Sequence, residues 1–532
     1  MAEFGDFISA LGEFGLYQKL LVLFLSLPLL LNPFQMIGQV FMVVDVPHYC
    51  DTSWILAIGP NLTEEEQLNL TLPRDADGAY EQCYMYSPVD WDLGSIMTYG
   101  LNATEKCSNG WVYPSAQPPS LLTEFDLVCD RKDLNDISQS IYMVGLLLGA
   151  MIFGPLSDRV GRQPIFLISI LLQGLFSVGV AFVPHFYVYM AFRCVVGASV
   201  SGILITAVLI SHCFFAIGQM ILAGLSYGIR NWRLLEIAGS APVFALFFYI
   251  WVLPESARWL VTKGRIEEAK KVLQKAASIN KRTIPPALLE QVAVMTWGTA
   301  CCLQRLPSAL GFAGSLVYYG LSLNVTSFGL DIYLTQLAFG VVELAARYSC
   351  IFLLQWFGRK KTQAVVLLLS GLMCLIIICI PEDQPVATTV LAIIGKFTAT
   401  ASFSTSYVYT AELFPTVIRQ TGVGLCSMSA RVAGIMAPLI RLLGQYHRAI
   451  PMAIFGSAPV VGGLLCFLLP ETRGTDLVDD IGVATPQLRW VSGAMNLRKK
   501  KSKVLPTCFP VLCKLVPVEP SLLCFTAIKN RQ

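Results

Sequence analysis

The chain has 532 residues, of which 55% are hydrophobic and 14% are charged, and its formal net charge is +3. Soluble domains carry roughly 25% charged residues, so this composition excludes an ordinary soluble domain. Apolar runs long enough to cross a bilayer, about 20 residues, recur along the sequence. Because lipid offers the backbone no hydrogen-bond partners, such runs must be helical, and the sequence predicts an all-α polytopic membrane protein.

The N-terminal region lacks the basic residues of a cleavable signal peptide. Its first 15 residues contain Glu3, Asp6 and Glu13 and no basic residue, whereas a secretory signal begins with a basic segment. Leu20 to Val43 is therefore predicted to be a retained first span.

Twelve spans are predicted from the apolar runs, in two groups of six. The predicted spans are 20–43, 136–156, 164–184, 187–210, 213–228, 237–253, 297–321, 330–354, 363–380, 387–411, 421–443 and 450–469. The chain accordingly divides into a first half (1–254) with a large loop at 45–132, a central loop (255–296), a second half (297–470) and a tail (471–532).

Charge assigns these loops to the two sides of the membrane. Between Asp45 and Asp130 there are 14 acidic and 2 basic residues, whereas 255–283 contains 8 basic and 3 acidic residues. Loops rich in Lys and Arg stay in the cytosol. The central loop and both termini are therefore predicted to be cytosolic, and the loop 45–132 extracellular.

The predicted extracellular loop carries independent signs of an oxidising compartment. It contains three glycosylation sequons, beginning at Asn61, Asn69 and Asn102. It also contains Cys50, Cys83, Cys107 and Cys129, which predicts two disulfide bonds with three possible pairings. A fourth sequon, at Asn324, lies at the end of a span and is expected to be unused.

The two halves repeat each other's motifs at similar spacing. Gly154-Pro-Leu-Ser-Asp-Arg-Val-Gly-Arg162 follows the second span, and Gly358-Arg359-Lys360 follows the eighth. Leu-Pro-Glu255 ends the sixth span, and Leu-Pro-Glu471 ends the twelfth. Repeated six-helix halves are a transporter architecture in which the substrate binds between the halves near the midplane.

These motifs resemble a known family. Asp158-Arg-Val-Gly-Arg162 resembles the loop signature of the major facilitator superfamily. The Cys-rich first loop, the segment 254–260 (PESARWL) and the segment 410–422 (TAELFPTVIRQTG) together resemble solute carrier family 22. The sequence is most similar to the organic anion branch, in particular to its urate and nicotinate exchangers. The resemblance implies transport by alternating access.

The resemblance also implies a cytosolic gate formed by the repeated motifs. The alternative is that their arginines anchor the topology only. The predicted gate residues are Gly154, Asp158, Arg159, Gly161, Arg162, Glu255, Arg258, Gly358, Arg359, Lys360, Glu412 and Arg419.

Three segments depart from the family pattern. The polar loop between the fourth and fifth spans is missing from the first half, around Val208–His212. Residues from Val292 to about Tyr318 do not match the family's seventh span, and the tail after Trp490 is unfamiliar. As one helix, 187–228 would be about 63 Å long, twice the roughly 30 Å hydrocarbon core. Two helices folded sharply near Ser211 and His212, in a strained hairpin, are predicted instead. A splice variant or imperfect gene model would explain all three departures.

Charges inside the spans identify candidate substrate contacts. A charge at the bilayer centre costs about 2.5–3.5 kcal/mol on insertion scales, so its default interpretation is functional. Arg431 and Arg347 lie within the eleventh and eighth spans, where the resemblance implies cationic residues in the organic anion branch. The cation branch has an aspartate at the Arg431 position. Arginine can bind a carboxylate through two parallel hydrogen bonds. The alternative for Arg347 is a pair with Glu343, one turn earlier.

Further residues complete the predicted site. The resemblance implies that Tyr318 and Tyr319 contact substrate in the seventh span, with an interfacial aromatic belt as the alternative. Arg193, Lys396 and Arg441 are expected to reach nearby interfaces by snorkelling.

The sequence predicts no catalytic site, cofactor, metal, nucleotide or nucleic acid partner. The predicted function is secondary active exchange of small organic anions, such as urate, nicotinate and other monocarboxylates, for a counter-anion. The expected location is the plasma membrane, in epithelia its apical face. The alternatives are a non-transporting variant of such a carrier and an organic cation or carnitine-type carrier.

Overall fold

The structure, a computed structural model, describes residues 15–44, 46–75, 78–113, 119–204, 212–282, 305–381, 383–414 and 416–473. The chain forms two compact units. The smaller unit comprises residues 41–135 and 229–232, and the larger unit contains the remainder of the chain.

The elements follow in chain order. Up to the end of the predicted extracellular loop they are α1 (Leu16–Met36), α2 (Gln39–Met42), β1 (Tyr49–Cys50), α3 (Glu64–Thr71), β2 (Tyr84–Tyr86), α4 (Leu93–Tyr99), β3 (Thr104–Lys106), β4 (Trp111–Val112) and α5 (Leu121–Glu124). The rest of the first half contains α6 (Asp133–Val160), α7 (Arg162–Val180), α8 (Phe186–Leu204), α9 (His212–Gly228), α10 (Trp232–Ser240), α11 (Pro242–Ala245) and α12 (Tyr249–Val252). Beyond it lie α13 (Ala257–Thr262), α14 (Ile266–Ile279), α15 (Arg305–Leu323), α16 (Ile332–Phe357), α17 (Arg359–Ile378), α18 (Pro385–Leu413), α19 (Thr416–Leu442) and α20 (Ala449–Cys466).

Two strand pairs and two disulfide bonds organise the smaller unit. β1 pairs with β4 and β2 pairs with β3, both antiparallel. One disulfide joins Cys50 to Cys107 and the other joins Cys83 to Cys129, with Cα–Cα distances of 5.0 and 5.6 Å. The structure thus selects one of the three pairings that the sequence left open.

The predicted glycan acceptors lie on the surface of the same unit. Asn61, Asn69 and Asn102 are all exposed, as an acceptor side chain must be. Thr63, in the first sequon, begins α3 with a capping box that it forms with Glu66. Asn324, by contrast, is buried in the larger unit and donates to the carbonyl of Gly320 at 2.7 Å.

Among the described residues, nine helices are long and apolar enough to cross a bilayer. They coincide with predicted spans one to four and eight to twelve. In the part of the chain that the structure describes, the other three predicted spans are also helical, but their apolar helices have fewer than 18 residues. α9 has 17 residues, the sixth span is broken into α10, α11 and α12, and the apolar part of α15 is Ser308–Leu323. Pro242 accounts for the break in the sixth span because proline cannot continue a helical hydrogen-bond ladder.

The long apolar stretch 187–228 forms two helices, as predicted, because α8 ends at Leu204 and α9 begins at His212. The predicted strained turn, and residues 297–304 of the predicted seventh span, lie outside the described residues.

Close packing holds the helices of the larger unit together. α7 packs against α8 and α1 against α9 in the first half, whereas α15 packs against α19 and α17 against α18 and α20 in the second. α9 also packs against α16, which joins the two halves. A side chain at Gly145 or Gly149 of α6 would collide with the α8 backbone at Cys194 or Ala198. Small residues at such contacts let membrane helices approach closely.

Candidate substrate site

Arg431 lies on α19 among hydroxyl groups, in a partly buried position. Its guanidinium donates to Ser427 Oγ at 2.5 Å and to Ser201 Oγ of α8 at 3.3 Å. Ser201 belongs to the first half, so Arg431 connects the two halves. Within the part of the chain that the structure describes, no carboxylate lies within 4.0 Å of this guanidinium. A positive charge in this setting is therefore available to an anionic ligand.

Glu343 of α16 forms the centre of a second charged group. Its side chain is fully buried, and it accepts a hydrogen bond from Arg347 at 2.5 Å. The hydroxyl of Tyr318 donates to the same carboxylate at 2.9 and 3.0 Å. Lys396 Nζ of α18 lies 3.4 Å from Glu343 Oε2 and donates to Ser322 Oγ at 2.5 Å. Arg347 thus makes the pair with Glu343 that the sequence raised as an alternative, and its predicted contact with substrate stays a prediction.

Aromatic rings connect Arg431 to the Glu343 group. The rings of Tyr318 and Tyr319 are 5.4 Å apart, and Tyr318 lies 5.6 Å from Phe403. Phe403 in turn lies 5.2 Å from Tyr407. The ring of Tyr319 lies against Gly434, one turn after Arg431 on α19. Flat aromatic faces of this kind suit a planar heterocyclic substrate.

The charges of the two groups do not cancel. Arg347, Lys396 and Arg431 contribute three positive charges and Glu343 one negative charge, so the sum is +2. An uncompensated buried charge is costly in a low-dielectric environment, and such sites usually have a function. The arrangement therefore favours anions over cations.

Two expectations for buried cations are wrong. Arg193 is 2% exposed, and Lys396 is completely buried, so neither side chain snorkels to an interface. Arg193 donates to the carbonyl of Gln35 at 2.6 Å and to the side chains of Gln39 and Gln139 at 3.3 and 3.2 Å. Neighbouring helices thus supply the polar partners that the Arg193 side chain needs, so it does not have to extend to an interface.

Arg441 also has protein partners where snorkelling was expected. It donates to the carbonyl of Leu323 at 2.9 Å, and Asp136 of α6 lies 3.6 Å from its guanidinium. Asp136 and Arg441 stand on opposite halves, so this pair joins the halves at the end of α19.

The first-half motif around Gly161 forms a compact network. Gly161 has a φ of +120°, which glycine adopts without strain. Glu255 accepts from the backbone N–H of Arg162 at 3.0 Å, at the beginning of α7, where an anion also complements the helix dipole. Arg162 pairs with Asp158 at 3.2 Å, and the indole of Trp259 donates to the Asp158 carbonyl at 3.0 Å.

The second-half motif repeats this geometry. Gly358 has a φ of +87°, and Glu471 accepts from the backbone N–H of Arg359 at 2.8 Å, at the beginning of α17. Glu412 receives two parallel hydrogen bonds of 2.8 Å from the Arg359 guanidinium and a third from Thr472. The first network thus links the first half to the central loop through Glu255 and Trp259, and the second links the second half to the tail through Glu471 and Thr472. A gating role for these residues stays a prediction.

The remaining predicted gate residues are more dispersed. Gly154 lies within α6, and Arg159 is exposed at the end of that helix. The backbone N–H of Lys360 donates to Glu471. The side chains of Arg258 and Arg419 lie outside the described part of the chain.

Sequence reasoning missed several residues of the site. Two of them, Ser201 and Ser427, accept hydrogen bonds from Arg431. The other two, Phe403 and Tyr407, extend the row of rings that begins at Tyr318. Serines and aromatics are common in membrane helices, so composition alone does not single them out. Spacing offered one signal, because Ser427 stands one turn before Arg431 on the same helix.

Comparison with known proteins identifies the same family as the sequence motifs. The family described as sugar (and other) transporter matches residues 124–212 and 209–479. Solute carrier family 22 member 13 of Homo sapiens is 48% identical over 511 residues, covering 90% of this chain and 93% of that protein. Member 14 of Mus musculus is 40% identical, covering 90% and 80%, and member 6 of Oryctolagus cuniculus is 35% identical, covering 90% and 93%. The resemblance seen in the motifs is confirmed.

Solved structures confirm the fold class. The xylose transporter XylE of E. coli in an inward-open conformation has a TM-score of 0.54 at 17% identity, covering 70% of this chain and 93% of its own. The proton:xylose symporter XylE bound to 6-bromo-6-deoxy-D-glucose has a TM-score of 0.55 at 14% identity, covering 86% and 98%. The two matches to the family overlap at residues 209–212, where the sequence predicts that the loop of the first half is missing.

Proposed function

We propose that this chain, which belongs to solute carrier family 22 of the major facilitator transporters, is a secondary transporter of small organic anions. Its substrates are monocarboxylates and urate-like anions, nicotinate among them, which it exchanges for a counter-anion across the plasma membrane with both termini in the cytosol. The observation that supports this proposal most strongly is Arg431, a cation within a span that faces hydroxyl groups and no described carboxylate.

The surroundings of Arg431 suit an aromatic carboxylate. The guanidinium offers a planar pair of donors to the carboxylate. The Ser201 and Ser427 hydroxyls already touch the guanidinium and can donate to the same anion. The ring of Tyr319 lies against Gly434, one turn after Arg431 on α19, so a flat ring bound to the arginine would find an aromatic face beside it.

The same position connects substrate binding to movement of the halves. Arg431 belongs to the second half and its partner Ser201 to the first. An anion that replaces this weak 3.3 Å contact changes the balance of interactions between the halves. A ligand shifts a conformational equilibrium only through such differential interactions. Binding at Arg431 is therefore well placed to drive alternating access.

An organic cation carrier is less consistent with the site, because the net charge of +2 around the two groups would repel a cation. A non-transporting variant remains the second candidate. It is favoured by the overlap of the two family matches at residues 209–212, where a loop is predicted to be missing, since a missing loop would constrain rocking of the first half.

Uptake measurements separate these candidates. Cells expressing the chain are assayed with radiolabelled nicotinate and urate, and with nicotinamide as an uncharged ring of the same shape. Uptake is divided by the surface-biotinylated protein. The proposal predicts uptake of both anions, accelerated by preloading with unlabelled anion, and little uptake of nicotinamide. Surface-delivered protein that takes up no anion would instead support the non-transporting variant.

A further inference from the structure

The Glu343 carboxylate has no role in the anion site proposed above, although it lies in the same group of helices. It is completely buried, with Arg347 at 2.5 Å, the Tyr318 hydroxyl at 2.9 Å and Lys396 at 3.4 Å. A buried carboxylate is tolerated only when it is paired and hydrogen-bonded. Here its two oxygens face Arg347, Lys396 and the Tyr318 hydroxyl, so the one negative charge of Glu343 serves as the counter-ion of both cations.

Because of this pairing, two of the three cations are not available to bind substrate. Arg347 and Lys396 both lie at ion-pair distance from Glu343. Lys396 also lies 3.4 Å from the centre of the Tyr318 ring and donates to Ser322. Arg431 is the cation of the set that no described carboxylate pairs with. One carboxylate of a substrate can therefore be accommodated without disturbing the Glu343 group.

We propose that Glu343 is an internal counter-anion that sets the valence of the transported substrate. The inference rests on the proposed anion transport function. Glu343 occupies Arg347 and Lys396 and leaves Arg431 for a monoanion. A second substrate carboxylate would have to displace Glu343 from Arg347 and leave it as a buried, poorly paired anion. Dianions are rejected for that reason, and Glu343 acts as a specificity-determining residue rather than as a substrate contact.

The test compares two substrates that share one ring. Nicotinate carries one carboxylate on a pyridine ring, and pyridine-3,5-dicarboxylate carries two. Glu343→Gln keeps the side-chain shape and removes the negative charge, which frees Arg347 and Lys396. The ratio of kcat/KM for the dicarboxylate to that for nicotinate should rise about tenfold or more, because a hydrogen bond to a charged group is gained.

Matched variants separate charge from shape. Glu343→Asp keeps the charge and should keep the wild-type ratio. The double variant E343Q/K396Q returns the net charge to +2 but leaves Arg347 unpaired, so its ratio should lie between those of the wild type and E343Q, and above that of K396Q. Glu236→Gln removes another buried carboxylate, which accepts from Ser240 in the first half, and should leave the ratio unchanged.

The outcomes are distinguishable from a failure of the proposed function. A wild-type chain that transports neither pyridine anion at the cell surface refutes the transport function itself. An E343Q chain that transports nicotinate with an unchanged ratio overturns the inference alone. If E343Q does not reach the surface, E343Q/K396Q is compared with K396Q, which differs from it only at residue 343, and a higher ratio is expected in the double variant. Failure of both E343Q chains to reach the surface would assign Glu343 to folding and also overturn the inference.

Discussion

Replacing Arg431 by alanine should abolish most anion transport and leave delivery to the cell surface intact. The guanidinium contacts the hydroxyls of Ser427 and Ser201, and no described carboxylate faces it. Its removal therefore leaves no buried anion unpaired, in contrast to the removal of Arg347 beside Glu343.

The magnitude follows from the hydrogen bonds that the substrate would lose. A hydrogen bond to a charged group contributes about 1.5–3 kcal/mol, and about 1.4 kcal/mol corresponds to a factor of ten. A carboxylate held by two such bonds loses at least about 100-fold in kcat/KM when the guanidinium is removed. The assay is nicotinate uptake divided by surface-biotinylated protein.

Two further substitutions at Arg431 test charge and geometry separately. Lysine keeps the charge but lacks the planar fork, so uptake should fall roughly tenfold with the anion preference retained. Aspartate reverses the field, so anion uptake should vanish and organic cations should gain weak access. Ser427→Ala removes a hydroxyl beside the guanidinium and leaves the charge in place, so it should reduce uptake less than Arg431→Ala.

The reasoning is refuted if the alanine variant transports nicotinate or urate normally per surface molecule. A different pattern, in which the alanine and aspartate variants both fail to reach the surface, would show that Arg431 pairs with a carboxylate and is required for folding.

Three other predictions concern the outer parts of the molecule. Deglycosylation should shift the mobility of the wild-type chain, and a residual shift in a triple Asn→Gln variant would place glycans elsewhere than at Asn61, Asn69 and Asn102. Asp136→Arg and Arg441→Asp should each alter uptake modestly, because a partly exposed pair contributes only about 0–1 kcal/mol. The combined swap should restore uptake, whereas losses that simply add in the swap would contradict the pairing. Replacing Cys83 and Cys129 by serine should destabilise the smaller unit by about 2–4 kcal/mol, measured as a lower Tm of the purified protein, whereas an unchanged Tm would contradict the pairing.

The positions of the spans could be predicted because length and hydropathy are local properties of the sequence. Nine of the twelve predicted spans appear as long apolar helices among the described residues. The sixth span was predicted as continuous, and the structure breaks it at Pro242. Pro242 alone did not predict this break, because membrane helices tolerate proline when neighbouring groups satisfy the freed backbone hydrogen-bond partners.

The partners of buried charges could not be predicted in the same way. Lys396 stands near the beginning of its predicted span, and this position predicted that its side chain would reach the membrane interface. Instead it is buried between helices, where it pairs with Glu343 and donates to Ser322. The pair of Glu343 with Arg347 was foreseeable, because the two residues are one turn apart on one helix. Contacts between helices depend on how they are rotated against each other, and a single sequence does not specify this rotation.

The disulfide pairing shows the same limit. Four cysteines in one loop allow three connectivities, and the loop sequence does not choose among them. The strands β1 to β4 hold segments of the loop together, but Cys129 lies outside all of them, and only the folded loop as a whole places Cys50 against Cys107 and Cys83 against Cys129. Such short strands, of two or three residues, carry too little periodicity to be recognised in the sequence.

The most direct test of the central claim is exchange by the purified, glycosylated chain reconstituted into liposomes. Liposomes are loaded with unlabelled nicotinate or left empty of anion, and uptake of radiolabelled nicotinate is followed with Arg431→Ala as the matched control. The account predicts uptake that is faster into the loaded liposomes and reduced at least about 100-fold in the variant. Uptake no greater than in protein-free liposomes, or equal in wild type and variant, would contradict it.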